Sequence, residues 1–426
     1  INYTAFPLTW SAIFILAGLY PTGTTQQTVS DKVTFLISPP DVYVNINVNG
    51  KTYRAKNKLV ITSRSPVNWK VDNVKIGKGV LLIPERREGT AHPSDTVKIN
   101  LIRVDLNNWD PQYWIGKTLN NYRIIDEIGS GGNSYVMKGE LNGRYYAIKI
   151  PKASSASSFS EIATEAFNLI NLSKDERLVK LYAINADVNV LNAIENGDVE
   201  AYLNSPPMIV MEYLEGGTLY DLLKNQSLYN SKYWKYIVYA VIREVAYALN
   251  SIHSQGYVHL DVKPQNIFFS RKLTGSAEQI YKVLKSTIGF VKLGDLGSAV
   301  RIGGKISQIT VEYAPPDQLE FLIRGIGADP RMDIFALGVT MYVALTGRND
   351  RPDINVLNGA VDYYNKGMIN EALNAVQLSK SLLASNWMNV YVEPEIFQIM
   401  RRMISPNYAD RPSLNEVIQV LNKFII

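Results

Sequence analysis

Between Val29 and Val104 apolar residues recur at every second position. Val42, Val44, Ile46 and Val48 alternate with Tyr43, Asn45 and Asn47, the period of a half-buried strand. Asn49-Gly50 follows, then Lys51-Thr-Tyr-Arg-Ala55. Asn-Gly between two alternating runs predicts a tight hairpin, because both central residues of the favoured turn need positive φ. Shorter runs at 33–37, 59–62, 67–74, 80–83 and 96–104 complete the pattern. It amounts to about seven strands within ~75 residues, which reads as a small β-sandwich over 29–107. After the polar, Pro-marked joint Asn107-Asn-Trp-Asp-Pro111 the pattern changes. Strand-like runs continue to about Leu181, and helical periodicity dominates from about Asp221. Segments 185–207 and 271–290 are polar and read as surface inserts, the second with a helix-prone stretch over 277–285.

The 426 residues suffice for two or three domains. Their net charge of +5 is small and contains no dense basic run, so neither nucleic acid nor anionic lipid is implied by charge. The absence of cysteine excludes disulfides, Cys-ligated zinc, Fe–S clusters and thiol nucleophiles. Three histidines make a His-rich metal site an unpromising reading. The run from Leu8 to Tyr20 is apolar and bounded by Pro7 and Pro21. It is shorter than the roughly 20 residues a membrane span needs. Residues 1–28 are therefore read as a docking helix or as the end of an anchor, and they lack the basic stretch of a signal peptide.

The chemistry lies beyond the joint. Ile128-Gly129-Ser130-Gly131-Gly132-Asn133-Ser134-Tyr135-Val136 sits between two strand-like runs. Glycines let backbone pass close to phosphates and offer them N–H groups, although a Gly-rich hairpin without a ligand fits the same letters. A strand and not a helix follows, which argues against a dinucleotide-binding fold. Ala147-Ile148-Lys149 ends the next strand, where the lysine could reach the same phosphates. A half-buried cation needs an acid; Glu165 and Glu161, one turn apart on an amphipathic stretch, are the two candidates. Farther on comes His259-Leu-Asp261-Val-Lys263-Pro-Gln-Asn266, then Gly294-Asp295-Leu296-Gly297. Asp295 and Asn266 offer the oxygen ligands that Mg²⁺ prefers beside phosphates. Asp261 is then free to orient a hydroxyl and accept its proton, with Lys263 near the moving phosphoryl group.

In this order the motifs resemble the eukaryotic-type serine/threonine protein kinase family, of prokaryotic or archaeal kind, over about 113–426. The resemblance implies an α+β, bilobal fold, with a β-rich lobe at 113–213 and a helical lobe at 216–426, preceded by the β-sandwich. It implies that Ile128, Gly129, Ser130, Gly131, Gly132 and Val136 cover ATP, with Ser134 at the third glycine position. Lys149 would hold phosphates and pair with Glu165. Met211 would be the gatekeeper, Glu212 and Leu214 would meet adenine through their main chain, and Ala147, Val136 and Phe268 would sandwich the base. Asn266 and Asp295 would hold Mg²⁺, or Mn²⁺ in its place. Thr310 to Asp317 resembles the segment that closes the activation loop, with Asp317 where the family usually has Glu and Arg411 as its ion-pair partner. Asp333 would anchor the catalytic loop.

The implied activity is ATP-dependent phosphorylation of serine and threonine hydroxyls of protein substrates, with the β-domain binding an unknown partner. An inactive scaffold and a small-molecule kinase of the same fold are the rivals. No run after Tyr20 is long enough to span a membrane, so the β-domain is expected on the kinase's side, in the cytoplasm, with the N-terminus as the means of any membrane association. Leu260 departs from the family's common arginine, which grips a phosphorylated activation loop. A leucine cannot do so, and activity without such phosphorylation is the expectation.

Overall fold

The computed structural model describes residues 31–154, 156–172 and 174–426, so the apolar run from Leu8 to Tyr20 and the 1–28 segment lie outside the described residues. The chain falls into two compact units, residues 31–75 with 82–103, and 76–81 with 104–426.

Nine strands between Lys32 and Asp105 form two sheets. One runs Lys58–Thr62, Lys32–Ser38, Thr96–Asp105, Val80–Pro84, Val74–Gly77; the other runs Lys51–Ala55, Val44–Val48, Val67–Val71, Glu88–Ala91. Alternation dictates the core: Val33, Phe35, Ile37 and Ile99 pack with Val44, Ile46, Val67 and Val71. Trp69 meets Phe35 edge-on at 6.0 Å. Asn49 and Gly50 both adopt positive φ at the predicted hairpin. Two strands exceed the expected number. The run 67–74 breaks after Val71, where Asp72-Asn73 interrupts the apolar alternation. Glu88–Ala91 carries little apolar signal and is a strand because it pairs along Val67–Val71.

The second unit has the bilobal α+β form. Its six-stranded antiparallel sheet runs Thr118–Leu119, Tyr122–Ser130, Ser134–Leu141, Arg144–Pro151, Met208–Glu212, Leu181–Asn185. Helix Ala156–Leu172 follows the fourth strand in sequence and packs on this sheet. The helical lobe is built on Trp234–Ser254 and Arg331–Thr346, the latter buried at every position from Met332 to Ala344. A helix buried all round has no polar face to give to water, so the charged Asp333 inside it must be satisfied by protein groups.

The inserts differ from expectation. Segment 185–207 folds into helices Val188–Glu195 and Val199–Asn204. Tyr202 and Leu203 are fully buried, not surface residues, because Tyr202 packs among the rings of Trp109 and Trp114. In segment 271–290, helix Ala277–Ser286 starts with a reciprocal Ser276/Gln279 cap and buries Ile280, Tyr281 and Leu284, with helix Trp234–Ser254 as its neighbour. Here the predicted helix and the observed one coincide.

Candidate active site

The Gly-rich stretch is the turn between strands Tyr122–Ser130 and Ser134–Leu141. The Gly131 N–H donates to the Ser134 carbonyl at 2.9 Å and closes the turn. Neither Gly131 nor Gly132 has positive φ. A side chain at Gly132 would meet nothing within 4 Å, and one at Gly131 would only graze the Ser134 carbonyl. The fold itself does not require glycine at these two positions.

On the adjacent strand Lys149 is 7% exposed and forms an ion pair with Glu165 at 2.6 Å and another with Asp295 at 3.2 Å. Burial opposes the lysine's charge, but Asp295 and Glu165 outweigh it and hold the ammonium well above lysine's usual range. Lys149 holds Asp295 below the usual carboxylate range against the opposing effect of burial. Burial pushes Glu165 up to about 7, with Lys149 pulling the other way. Of the two acids weighed from the sequence, the lysine takes Glu165. Glu161 instead accepts from the Asn133 side-chain amide at 2.5 Å, one residue beyond the glycines. The helix bearing both acids is itself pinned, because Asn168 donates to the carbonyls of Leu296 and Ala299 at 2.9 and 2.8 Å.

The loop 259–266 is held from beneath by Asp333. Its carboxylate accepts from the His259 and Leu260 backbone N–H groups, each at 2.8 Å, and lies 2.8 Å from His253 Nε2. Gathering two successive N–H groups onto one carboxylate accompanies a left-handed turn at Leu260, φ 65°, a conformation costing a non-glycine residue about 1–2 kcal/mol. His259 Nδ1 accepts from the Asp261 N–H at 3.1 Å, so Nε2 carries the ring proton and donates to the Gly294 carbonyl at 2.9 Å. One ring thus ties the two acidic motifs together.

Above it, Asp261 accepts from the Thr310 hydroxyl at 2.7 Å and pairs with Lys263 at 3.1 Å. The Asn266 side-chain amide donates to the Asp261 carbonyl at 2.8 Å and carboxylate at 3.0 Å. Beyond Thr310, Arg411 pairs bidentately with Asp317 at 2.5 and 3.1 Å, both side chains being almost completely buried.

A cleft of about 870 Å³ gathers these groups. Its lining includes Ile128, Gly129, Ser130, Gly131, Val136, Ala147, Lys149 and Glu165 from the sheet side, and Met211, Glu212 and Leu214 from the segment joining the lobes. Lys263, Asn266, Phe268, Asp295 and Thr310 close it. Gly132 does not line it, and neither does Asp261, which sits behind Lys263 and Thr310; nor do Asp317, Asp333 and Arg411, which act beneath the loops. The Glu212 carboxylate turns away to Lys292 at 2.8 Å and to the Lys180 N–H at 2.9 Å, leaving main chain as what this residue can offer a ligand.

Arg351 went unnoticed in the sequence. It is buried, pairs with Asp353 at 2.8 Å, and donates 3.0 Å hydrogen bonds to the carbonyls of Val311, Glu312 and Ala314. The spacing Arg351-x-Asp353 is its only local signal, and such pairs are common on surfaces.

The sequence profile of the protein kinase domain matches residues 122–421. Serine/threonine-protein kinase ArnS of Sulfolobus acidocaldarius is 44% identical over 360 residues, which cover 80% of this chain and 58% of that protein. Serine/threonine-protein kinase PknJ of Mycobacterium tuberculosis is 30% identical over 240 residues, 54% of this chain and 35% of that one. MAP kinase-interacting serine/threonine-protein kinase 1 of Xenopus tropicalis is 27% identical over 250 residues, 54% of this chain and 52% of its own. The chain thus spans about a quarter to three fifths of the curated relatives it matches.

Proposed function

The chain belongs to the protein kinase family, and on that premise we propose that it transfers the γ-phosphate of ATP to serine and threonine hydroxyls of proteins. One observation carries the reading: the cation–acid set Lys149–Glu165–Asp295 lines one cleft together with Lys263 and Thr310, the two side chains that hold the Asp261 carboxylate. Lys149 binds the phosphates of ATP, and Glu165 keeps its ammonium aimed into the cleft. Gly131 and Gly132, free of any steric demand from the fold, let the backbone approach those phosphates. Met211 bounds the base site, Glu212 and Leu214 meet adenine through main chain, and Ala147, Val136 and Phe268 pack on its faces.

Asp261 orients the acceptor hydroxyl and takes its proton. In the free protein its carboxylate is already shared with Thr310 and Lys263, so it is held in place before an acceptor arrives. Lys263 then faces the transferring group. Among the described residues no three His, Asp or Glu side chains come together as a metal cage. The donors present fit Mg²⁺, or Mn²⁺, which would rest on Asp295, the Asn266 amide oxygen and oxygens of the nucleotide. When bound, the ion neutralises charge that develops between the phosphates.

The protein hydroxyl, rather than a small molecule, is favoured as acceptor by the fully tied segment from Thr310 to Asp317, which Arg351 and Arg411 hold as a shaped floor. Among the described residues no helix is long and apolar enough to cross a membrane. We place the enzyme in the cytoplasm, where ATP is, with its β-domain binding a partner of its own. A phosphotransfer assay with radiolabelled ATP, offering protein and small-molecule acceptors side by side, tests the reading. Labelled phosphoserine or phosphothreonine is expected. Nucleotide binding without transfer would make the chain a scaffold, and label on small molecules alone would move it to another substrate class.

A further inference from the structure

The strand that leaves the Gly-rich turn begins Ser134-Tyr135-Val136, and Tyr135 is buried. Its ring stands edge-on to Trp114 at 5.9 Å, and its hydroxyl donates to the Trp109 carbonyl at 3.1 Å. Burial, with Glu127 and Asp110 nearby, raises the phenol's pKa, so the hydroxyl remains a donor near neutral pH. Trp109 belongs to the joint before the sheet and Trp114 to the helical turn Pro111–Trp114 that follows it, and both rings pack on Tyr202 of helix Val199–Asn204, at 4.7 and 5.2 Å. The Trp114 indole N–H donates to the Leu203 carbonyl at 3.2 Å. The Tyr202 hydroxyl in turn donates to the Pro151 carbonyl at 2.6 Å. The next residue, Lys152, donates through its ammonium to the Gly131 carbonyl at 2.6 Å and through its N–H to the Asn133 carbonyl at 2.9 Å. The joint and the insert therefore reach the glycine turn by two routes, through Tyr135 and through Pro151–Lys152.

We propose that Trp109, Trp114, Tyr135 and Tyr202 form a brace that positions the Gly-rich turn, so that the joint and the insert set how tightly the turn closes on nucleotide. The turn fixes itself only at Asn133, through Glu161, because its other two residues, Gly131 and Gly132, lack side chains and a side chain at Gly132 would meet nothing within 4 Å. Its position is then decided by what holds its flanks. Tyr135 and Tyr202 are positioning residues, not catalytic ones. The proposal rests on the ATP role assigned to the cleft, whereas the brace itself can be examined with no nucleotide present.

Tyr135→Phe in the full chain keeps the ring and removes only the hydroxyl. Expected is a rise in KM for ATP of about fivefold, the worth of one net hydrogen bond, with kcat within about twofold. Hydrogen exchange of amides 128–136, measured without nucleotide, should quicken in the same variant. Tyr182→Phe, at an exposed tyrosine of the same sheet, serves as the control and should change neither. If Tyr135→Phe fails to fold, Tyr202→Phe, which removes the hydroxyl that bonds the Pro151 and Ala153 backbone, decides by the same two readouts. Unchanged KM and unchanged exchange would overturn the brace, and so would a parallel loss of kcat and melting temperature without a change in KM. A wild-type protein that does not turn over ATP would refute the proposed function instead, and exchange alone would then judge the brace.

Discussion

The middle and the far end of the segment from Asp295 to Asp317 are held by opposite physics. Near its middle the hold is apolar: Ile306 is buried with Leu260, Phe321, Ala328 and Met332. At its far end the hold is ionic, through Arg411–Asp317 and Arg351–Asp353, the latter pair carrying the carbonyls of Val311, Glu312 and Ala314. An apolar contact needs no partner charge and no modification to form. A buried ion pair is different, since each ion alone would be strongly disfavoured. The substrate-facing end is therefore exacting, while the middle is self-assembling. Leu260 occupies the place where kinases with arginine there wait for a phosphate, and here it joins the apolar cluster directly.

The largest effect should come from breaking the ionic end. Arg411→Ala leaves Asp317 buried and unpaired, and a loss of about 3–5 kcal/mol is expected, read by urea unfolding. A loss below about 1 kcal/mol would mean that water already reaches the pair. Next in size is Asp261→Asn, where the segment meets the catalytic loop through Thr310. The amide keeps the size and cannot accept a proton, so transfer should fall about 10²-fold or more with ATP affinity nearly unchanged. Wild-type rates in that variant would remove the general-base role.

At the apolar middle Ile306→Val deletes one methylene, and about 1 kcal/mol is expected. It should appear as faster hydrogen exchange confined to the cluster, with the pairing at Arg411 unaffected. The smallest effect separates the two holds most sharply. Ser298 and Thr310 are engaged, by Gln308 at 3.0 Å and by Asp261, whereas Ser307 is exposed. Phosphatase treatment, with mass spectrometry showing all three hydroxyls bare, should leave the rate within about twofold, since no charge in the apolar hold awaits a phosphate. A fall of more than tenfold, about 1.4 kcal/mol of barrier, restored by phosphorylating Ser307, would refute the comparison.

Where candidate groups lie close together in the chain, the letters alone point to them. Asp261, Lys263 and Asn266 lie within six residues and Gly129 to Val136 within eight, and the Asn49-Gly50 hairpin was legible because few other residues tolerate its positive φ. The alternation of 42–48 likewise determined which side chains of that strand are buried, because a strand has only two faces. Long-range partnerships were a different matter. The residues alone left Glu165 and Glu161 open, since both lie on adjoining turns of one face; the resemblance pointed to Glu165, and the placed helix brings that carboxylate to Lys149. Arg351 acquires its role from carbonyls 37–40 residues away, and Trp114 from Leu203, 89 residues away. Segment 185–207 is polar in composition, yet Tyr202 is buried because the joint and the turn after it bring Trp109 and Trp114 to it. Composition records what a residue can do in water or in a core; only the folded chain decides which neighbours remove it from water.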